Sequence, residues 1–362
     1  MLLLNEAMRI AKHSGEELTM DDLGLIRRIL ESMDSPKSFD EKRRPKTGEL
    51  TYSSVDMLMI CAFVEVRKTT YGGAVTDLKD KGGQERLKAL GMPCRNGEYR
   101  CPSKSTISDF INKTWPKLQK SISQEIVAGI LEMLRAAGIM ITVDSTPLEA
   151  SRYSERCDYN PHYEIRMDKS HIMMLNGIPL IQTRTGANDS DYKELFNLLA
   201  SMGGIAPFAV RGFATDGSYH GFAAYAEVFM KTGKVMATNQ GIDAKYHEEA
   251  EWKDIESAYS KMWKKHDFKP SKYLAPAEKL RYLVKNGRSE LVGKFLHNLD
   301  YMRGKSVRAQ WSLERHVCET KHFQVKRWLR FDVRGLRNHS VDNRISMRFF
   351  LLQILTMVFT SD

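Results

Sequence analysis

The amino-acid sequence predicts an α/β protein, a mixed sheet flanked by helices and preceded by a helical region. Three observations predict it. Residues 1 to 135 carry apolar side chains mostly at helical spacing. From Gly138 the pattern changes to short β-rich runs, two of them separated by Asn176-Gly177. Beyond that pair, helix-like and strand-like segments alternate, as they do in βα units.

In the helical region, Ser35 to Gly48 is polar, holds Pro36, Pro45 and the run Lys42-Arg43-Arg44, and reads as a linker. Ser54 to Arg67 is an apolar-rich helix. Pro102-Ser103-Lys104-Ser105-Thr106 opens another, with Ile107, Phe110, Ile111 and Trp115 on its apolar side and Ser103 or Ser105 as N-cap. A short helix, a glycine-bearing turn and a helix opening with Ser, Lys and Thr are compatible with a helix-turn-helix facing DNA. Small helical bundles produce the same pattern.

Ile139-Met140-Ile141-Thr142-Val143 reads as a buried strand. Ser170 to Leu175 and Ile178 to Thr185 flank Asn176-Gly177, which makes them an antiparallel hairpin. A helix near Asp191 to Met202, a strand near Phe208 to Ala214, a helix near Tyr219 to Lys231 and a strand near Lys234 to Thr238 follow. The order β-β-β-α-β-α-β matches a ribonuclease H-like mixed sheet. The expected divisions are a helical, DNA-binding region over 1–136, the first part of the sheet domain over 137–241, an insertion over 242–305, and C-terminal helices of the sheet domain over 306–362.

The net charge is +10 and it is unevenly placed. Residues 261 to 362 hold 22 Lys and Arg against 9 Asp and Glu, a net of +13, which leaves −3 for residues 1 to 260. A basic last third points to a polyanionic partner, most commonly nucleic acid. The five cysteines, Cys61, Cys94, Cys101, Cys157 and Cys318, are scattered and lack zinc-finger spacing, which fits a reducing cytoplasm. Phe349 to Phe359 is shorter than the roughly 20 residues that span a bilayer and reads as a buried C-terminal helix, so no membrane partner is expected.

Asp144 follows the first predicted strand and Asp216 the fourth, which sets two carboxylates where neighbouring strands finish. Two-metal phosphoryl transfer needs carboxylates clustered on rigid elements like these. Taken singly, Asp144-Ser145-Thr146-Pro147 could be a capped turn and Asp216-Gly217 a plain turn. A third carboxylate is supplied by the helix predicted from Trp311 to Leu329. At about 100° per residue, Arg315, Glu319, His322 and Lys326 fall within an arc of roughly 60°. Leu313, Val317, Cys318, Val325 and Trp328 lie opposite, and Glu314 projects among them. His322 alone reads as structural, and Trp311 and Trp328 as core.

The spacing Arg315-x3-Glu319-x6-Lys326 resembles the signature around the catalytic glutamate of DDE transposases of bacterial and archaeal insertion sequences. Val143-Asp144-Ser145-Thr146-Pro147-Leu148-Glu149-Ala150 resembles the first-aspartate motif of that family, and Ala214-Thr215-Asp216-Gly217-Ser218-Tyr219 the second. The 102 residues between Asp216 and Glu319 leave room for the insertion many such enzymes carry. One departure is Ser312, where the signature has a tyrosine. The resemblance implies a DNA transposase in which Asp144, Asp216 and Glu319 hold two Mg²⁺ or Mn²⁺ ions. It implies cleavage of double-stranded DNA at terminal inverted repeats and strand transfer into target DNA by a homodimer in the nucleoid-associated cytoplasm. Arg315 and Lys326 would hold the phosphate beside the cut. Lys169, Tyr219, Arg327 and Arg330 are further expected DNA contacts. A ribonuclease H-like nuclease without strand transfer, or a catalytically inactive DNA-binding protein, are the alternatives.

Overall fold

The computed structural model describes residues 19–44, 50–133, 139–150, 157–175, 177–201, 210–219, 224, 228–229, 232, 234, 236–238, 332–333 and 338–359. It is an α/β protein with a mixed sheet. In chain order the first elements are α1 (Met20–Ser32), α2 (Asp34–Arg43), α3 (Ser54–Val66), α4 (Tyr71–Lys79), α5 (Gly83–Ala89), β1 (Cys94–Arg95), β2 (Glu98–Tyr99) and α6 (Lys104–Asp109). A π-helical turn at Phe110–Thr114 leads into α7 (Trp115–Met133). Then come β3 (Ile139–Ala150), β4 (Asp158–Asn160), β5 (Ile165–Leu175), β6 (Ile178–Gly186), α8 (Asp191–Ser201), β7 (Val210–Thr215), β8 (Met236–Thr238), β9 (Asp332–Val333) and α9 (Asn338–Phe359). The chain forms two compact units, one of residues 1–133, 148–168 and 322–362, the other of residues 134–147 and 169–321.

The first unit is helical at its core. Thr19 caps α1 reciprocally: its hydroxyl accepts the Asp22 amide, and the Asp22 carboxylate accepts the Thr19 amide at 2.6 Å, which satisfies amides that a first turn leaves orphaned. Most of the expected linker is helix α2. Pro36 sits in its first turn, where a missing N–H does no harm. The Glu125 carboxylate, from α7, accepts the Asp34 and Ser35 amides at 2.8 and 2.9 Å. Helix α3 is buried on all sides, from Ser54 through Glu65, as a central helix must be when its surface is apolar all round. Of its two buried acids, Asp56 accepts a 3.1 Å bond from Arg27 of α1 and Glu65 a 2.7 Å bond from Arg348 of α9.

Ser103 is the N-cap of α6, its hydroxyl accepting the Thr106 amide at 3.1 Å. Ile107, Phe110, Ile111 and Trp115 are buried as expected. Between α5 and α6 stands a small antiparallel ribbon, β1 with β2, whose tight turn places Asn96 and Gly97 at φ of 54° and 83°. The Trp115 indole donates to Ser346 at 2.8 Å and its ring lies 5.1 Å from that of Phe350. Through these contacts α9 packs with the N-terminal helices of the first unit.

The sheet order is β4-β5-β3-β7-β8, with β6 paired to β5 and β9 paired to β3. In the second unit, β3 and β7 run parallel from Ile139↔Val210 to Val143↔Thr215, and β7 and β8 run parallel from Phe213↔Met236 to Thr215↔Thr238. Ile141, Val143, Phe213 and Met236 are buried, the apolar character that parallel strands need when both faces are covered. Gly177, at φ 82°, turns β5 into β6. Ala224, Val228 and Phe229 are helical and buried. One expectation is corrected here: Asp144 does not end its strand. β3 continues to Ala150 because its far end finds a second parallel partner, Glu149↔Asp332 and Ala150↔Val333. The expected insertion at 242–305 and the helix at Trp311 to Leu329 lie outside the described residues. Among the described residues, no helix is long and apolar enough to cross a membrane.

Candidate functional site

The pairing of β3 with β7 ends at Val143↔Thr215. The next residue on each chain is an aspartate, Asp144 and Asp216. Parallel register therefore makes the two carboxylates neighbours at the margin of a rigid, buried pair of strands. Asp144 is buried, at 8% exposure, and its Oδ1 accepts the Ser145 amide at 2.9 Å. Asp216 begins a 3-10 turn, Gly217–Tyr219, in which its carboxylate accepts the Gly217 amide and its carbonyl accepts the Tyr219 amide at 3.1 Å.

Tyr219 reaches back from that turn into the sheet and is fully buried. Its hydroxyl lies 3.0 Å from Nδ1 of His171 on β5, whose Nε2 lies 2.8 Å from the Thr185 hydroxyl on β6. Burial pushes the phenol well above its ordinary range, and Asp191, Asp144 and Asp216 push the same way against Ser145, so the hydroxyl keeps its proton. Both candidate carboxylates thus act on one buried tyrosine. Burial holds His171 below its usual range, with Asp191 and Glu194 opposing and Lys169 assisting. A neutral imidazole results.

A second set of bonds surrounds Asp191, in the first turn of α8. Its Oδ2 accepts from the Ser145 hydroxyl at 3.0 Å, and its Oδ1 from the Lys169 ammonium at 2.8 Å. Lys169 also donates to the Asp189 carbonyl at 2.8 Å.

Two of the expected DNA contacts, Tyr219 and Lys169, have internal partners in the structure. Tyr219 is enclosed and bonded internally, because its turn folds the ring under the sheet margin. Lys169 is largely buried, and its ammonium is held by Asp191 and Asp189. Sequence reading missed His171, Ser145 and Asp191. Ser145 was detectable as the polar neighbour of Asp144, and Asp191 as the acidic start of a predicted helix. His171 carries no local signal inside an apolar strand.

Glu319, Arg315, Lys326, Arg327 and Arg330 lie outside the described residues. The hard oxygen donors of Asp144 and Asp216 are the type that Mg²⁺ and Mn²⁺ accept, and their register fits part of a carboxylate metal site. Among the described residues, no group of three or more His, Cys, Asp or Glu side chains forms a complete metal cage. Comparisons with protein-family models, with curated proteins and with solved structures gave no match.

Proposed function

We propose that the chain is a DNA transposase with a ribonuclease H-like catalytic domain, which cleaves transposon ends and transfers them to target DNA. The observation that carries this reading is the pair of aspartates one step beyond Val143↔Thr215 on parallel strands. The strand order β6-β5-β3-β7-β8, with three strands followed by βα units, supports the fold assignment. The basic last third of the chain supports a DNA partner.

Asp144, Asp216 and Glu319 would hold two divalent ions. When bound, such ions supply activation of a water or terminal hydroxyl and stabilisation of the leaving oxygen in in-line phosphodiester attack. The chain's own residues do the rest. Arg315 and Lys326 grip the phosphate at the cut, Arg as a two-pronged donor and Lys as a point charge. Arg327 and Arg330 neutralise phosphates along the bound end, and a homodimer in the nucleoid brings two ends together.

The test is incubation of the protein with labelled DNA carrying the terminal inverted repeats, with Mg²⁺ or Mn²⁺. Cuts are expected at the repeat boundary, followed by joined products. Wild-type cutting by Asp144→Asn, Asp216→Asn and Glu319→Gln would refute the carboxylate assignment. Cuts without joined products would identify a nuclease of the same fold.

A further inference from the structure

We infer that Tyr219 is a positioning residue that fixes the Asp216 turn against the Asp144 strand. The inference rests on the metal-site reading above and adds to it the part of the chain that sets the spacing of the two ligands. Asp144 has a strand to hold it. Asp216 does not: it lies one residue past the end of β7, in a 3-10 turn only three residues long. A turn that short makes few bonds of its own, so its aim depends on what anchors it.

Tyr219 is the anchor at both of its ends. Its backbone amide donates to the Asp216 carbonyl at 3.1 Å, closing the turn. Its hydroxyl lies 3.0 Å from His171 and belongs to the same cluster as Ser145, the residue after Asp144. One side chain therefore joins the turn of one carboxylate to the cluster beside the other. His171 is in turn held by Thr185 at 2.8 Å, and Ser145 by Asp191 at 3.0 Å. The ring is enclosed, meeting His171 edge to face with centroids 6.3 Å apart, so its rotamer is fixed by packing as well as by bonds. Groups that orient metal ligands from behind typically change metal affinity by about 10–100-fold when removed.

The experiment measures Mn²⁺ binding to the full chain without DNA, by calorimetry or by loss of the free-ion electron spin resonance signal. The proteins are wild type, Tyr219→Phe, His171→Gln, His171→Leu and Asp216→Asn, with thermal melting recorded for each. Tyr219→Phe keeps the ring and loses the hydroxyl bond to His171. The expected result is Mn²⁺ binding weakened about tenfold or more with a near-native melting temperature. His171→Gln, which can still bond the Tyr219 hydroxyl, is expected to bind Mn²⁺ more tightly than His171→Leu. If Tyr219→Phe does not fold, that Gln against Leu comparison decides: equal binding overturns the inference.

Unchanged Mn²⁺ affinity in Tyr219→Phe together with loss of binding in Asp216→Asn also overturns it, while leaving the metal site standing. Unchanged affinity in Asp216→Asn sinks the metal-site reading itself, and the inference with it.

Discussion

Arg348 and Glu65 lie 283 positions apart, and their side chains are 10% and 7% exposed with Nε and Oε2 at 2.7 Å. Replacing Arg348 with Met removes the guanidinium and leaves the Glu65 carboxylate in a helix that is buried on every side. Breaking a buried pair from one side costs about 3–5 kcal/mol, since one charge has been taken from water without its partner. Replacing both at once, Glu65→Leu with Arg348→Met, removes the buried charge as well and is expected to be neutral or stabilising by about 1–4 kcal/mol. Because the chain has two units, a global melt would mix their transitions. Amide hydrogen exchange of α3 and α9 reports on the helical unit alone. The single variant should speed exchange of the slowest α3 amides by about two to three and a half orders of magnitude, at 1.4 kcal/mol per factor of ten. The double variant should restore protection. A single variant costing under about 1 kcal/mol, or a double variant as poorly protected as the single, would refute the account of α9 as ion-paired to α3.

Three further outcomes are expected. His171 is held below its usual range, so folding favours its neutral form; its contribution is complete at pH values above the ordinary histidine range and is lost as pH falls through that range towards the folded value. Protection of β5 and β6 amides, taken relative to the intrinsic exchange rate at each pH, should therefore fall on mild acidification, and His171→Gln should remove that part of the pH dependence. Glu125→Ala uncaps α2 and should cost about 1 kcal/mol, within about 0.5–2 for lost N-caps, measured by exchange of α2 amides; equal protection would disprove the long-range cap. Gly97→Ala forces a Cβ on a residue at φ 83° and should destabilise the β1–β2 ribbon by about 1 kcal/mol, read as faster exchange at Arg100, whose amide donates to the Pro93 carbonyl across the ribbon.

Local pattern carried far in some places. The Ser103 cap, the buried set Ile107, Phe110, Ile111 and Trp115, and the turn at Gly177 each depend on residues within one turn of one another, and all are present in the structure. What failed depended on distant partners. Ser35 to Gly48 reads as a linker because its own composition is polar and proline-bearing, and the Glu125 carboxylate that caps the helix over Asp34–Arg43 comes from 91 and 90 residues away. β5 begins at Ile165, not Ser170, because Arg166 and Met167 pair with Tyr159 and Asp158 of a three-residue strand too short to recognise. β3 outruns Asp144 for the same reason, through β9. The pairing that brings Asp144 and Asp216 beside each other follows strands that local pattern marks, although Asp144 lies within β3 and not at its end. The bonds behind them were not legible, since His171, Thr185, Asp191 and Tyr219 meet only once the sheet is formed.

The π-helical turn at Phe110–Thr114 acts as a phase shifter. Hydrogen bonds to the fifth residue along, in place of the fourth, admit one more residue into the turn than an α-helix would. The apolar stripe upstream, at Ile107 and Ile111, and the stripe downstream, at Trp115, Leu118, Ile122 and Ile126, are buried in succession without a break in the rod. Deleting a single residue such as Asn112 would convert the π turn to an ordinary α turn and keep the phase of α7, whereas deleting a second residue would rotate all of α7 by about 100° relative to α6. Trp115 would then swing off Ser346, and the Glu125 cap would turn away from α2. The length of this segment is thus constrained by angle as much as by distance, and it should tolerate loss of the one extra residue far better than a two-residue deletion.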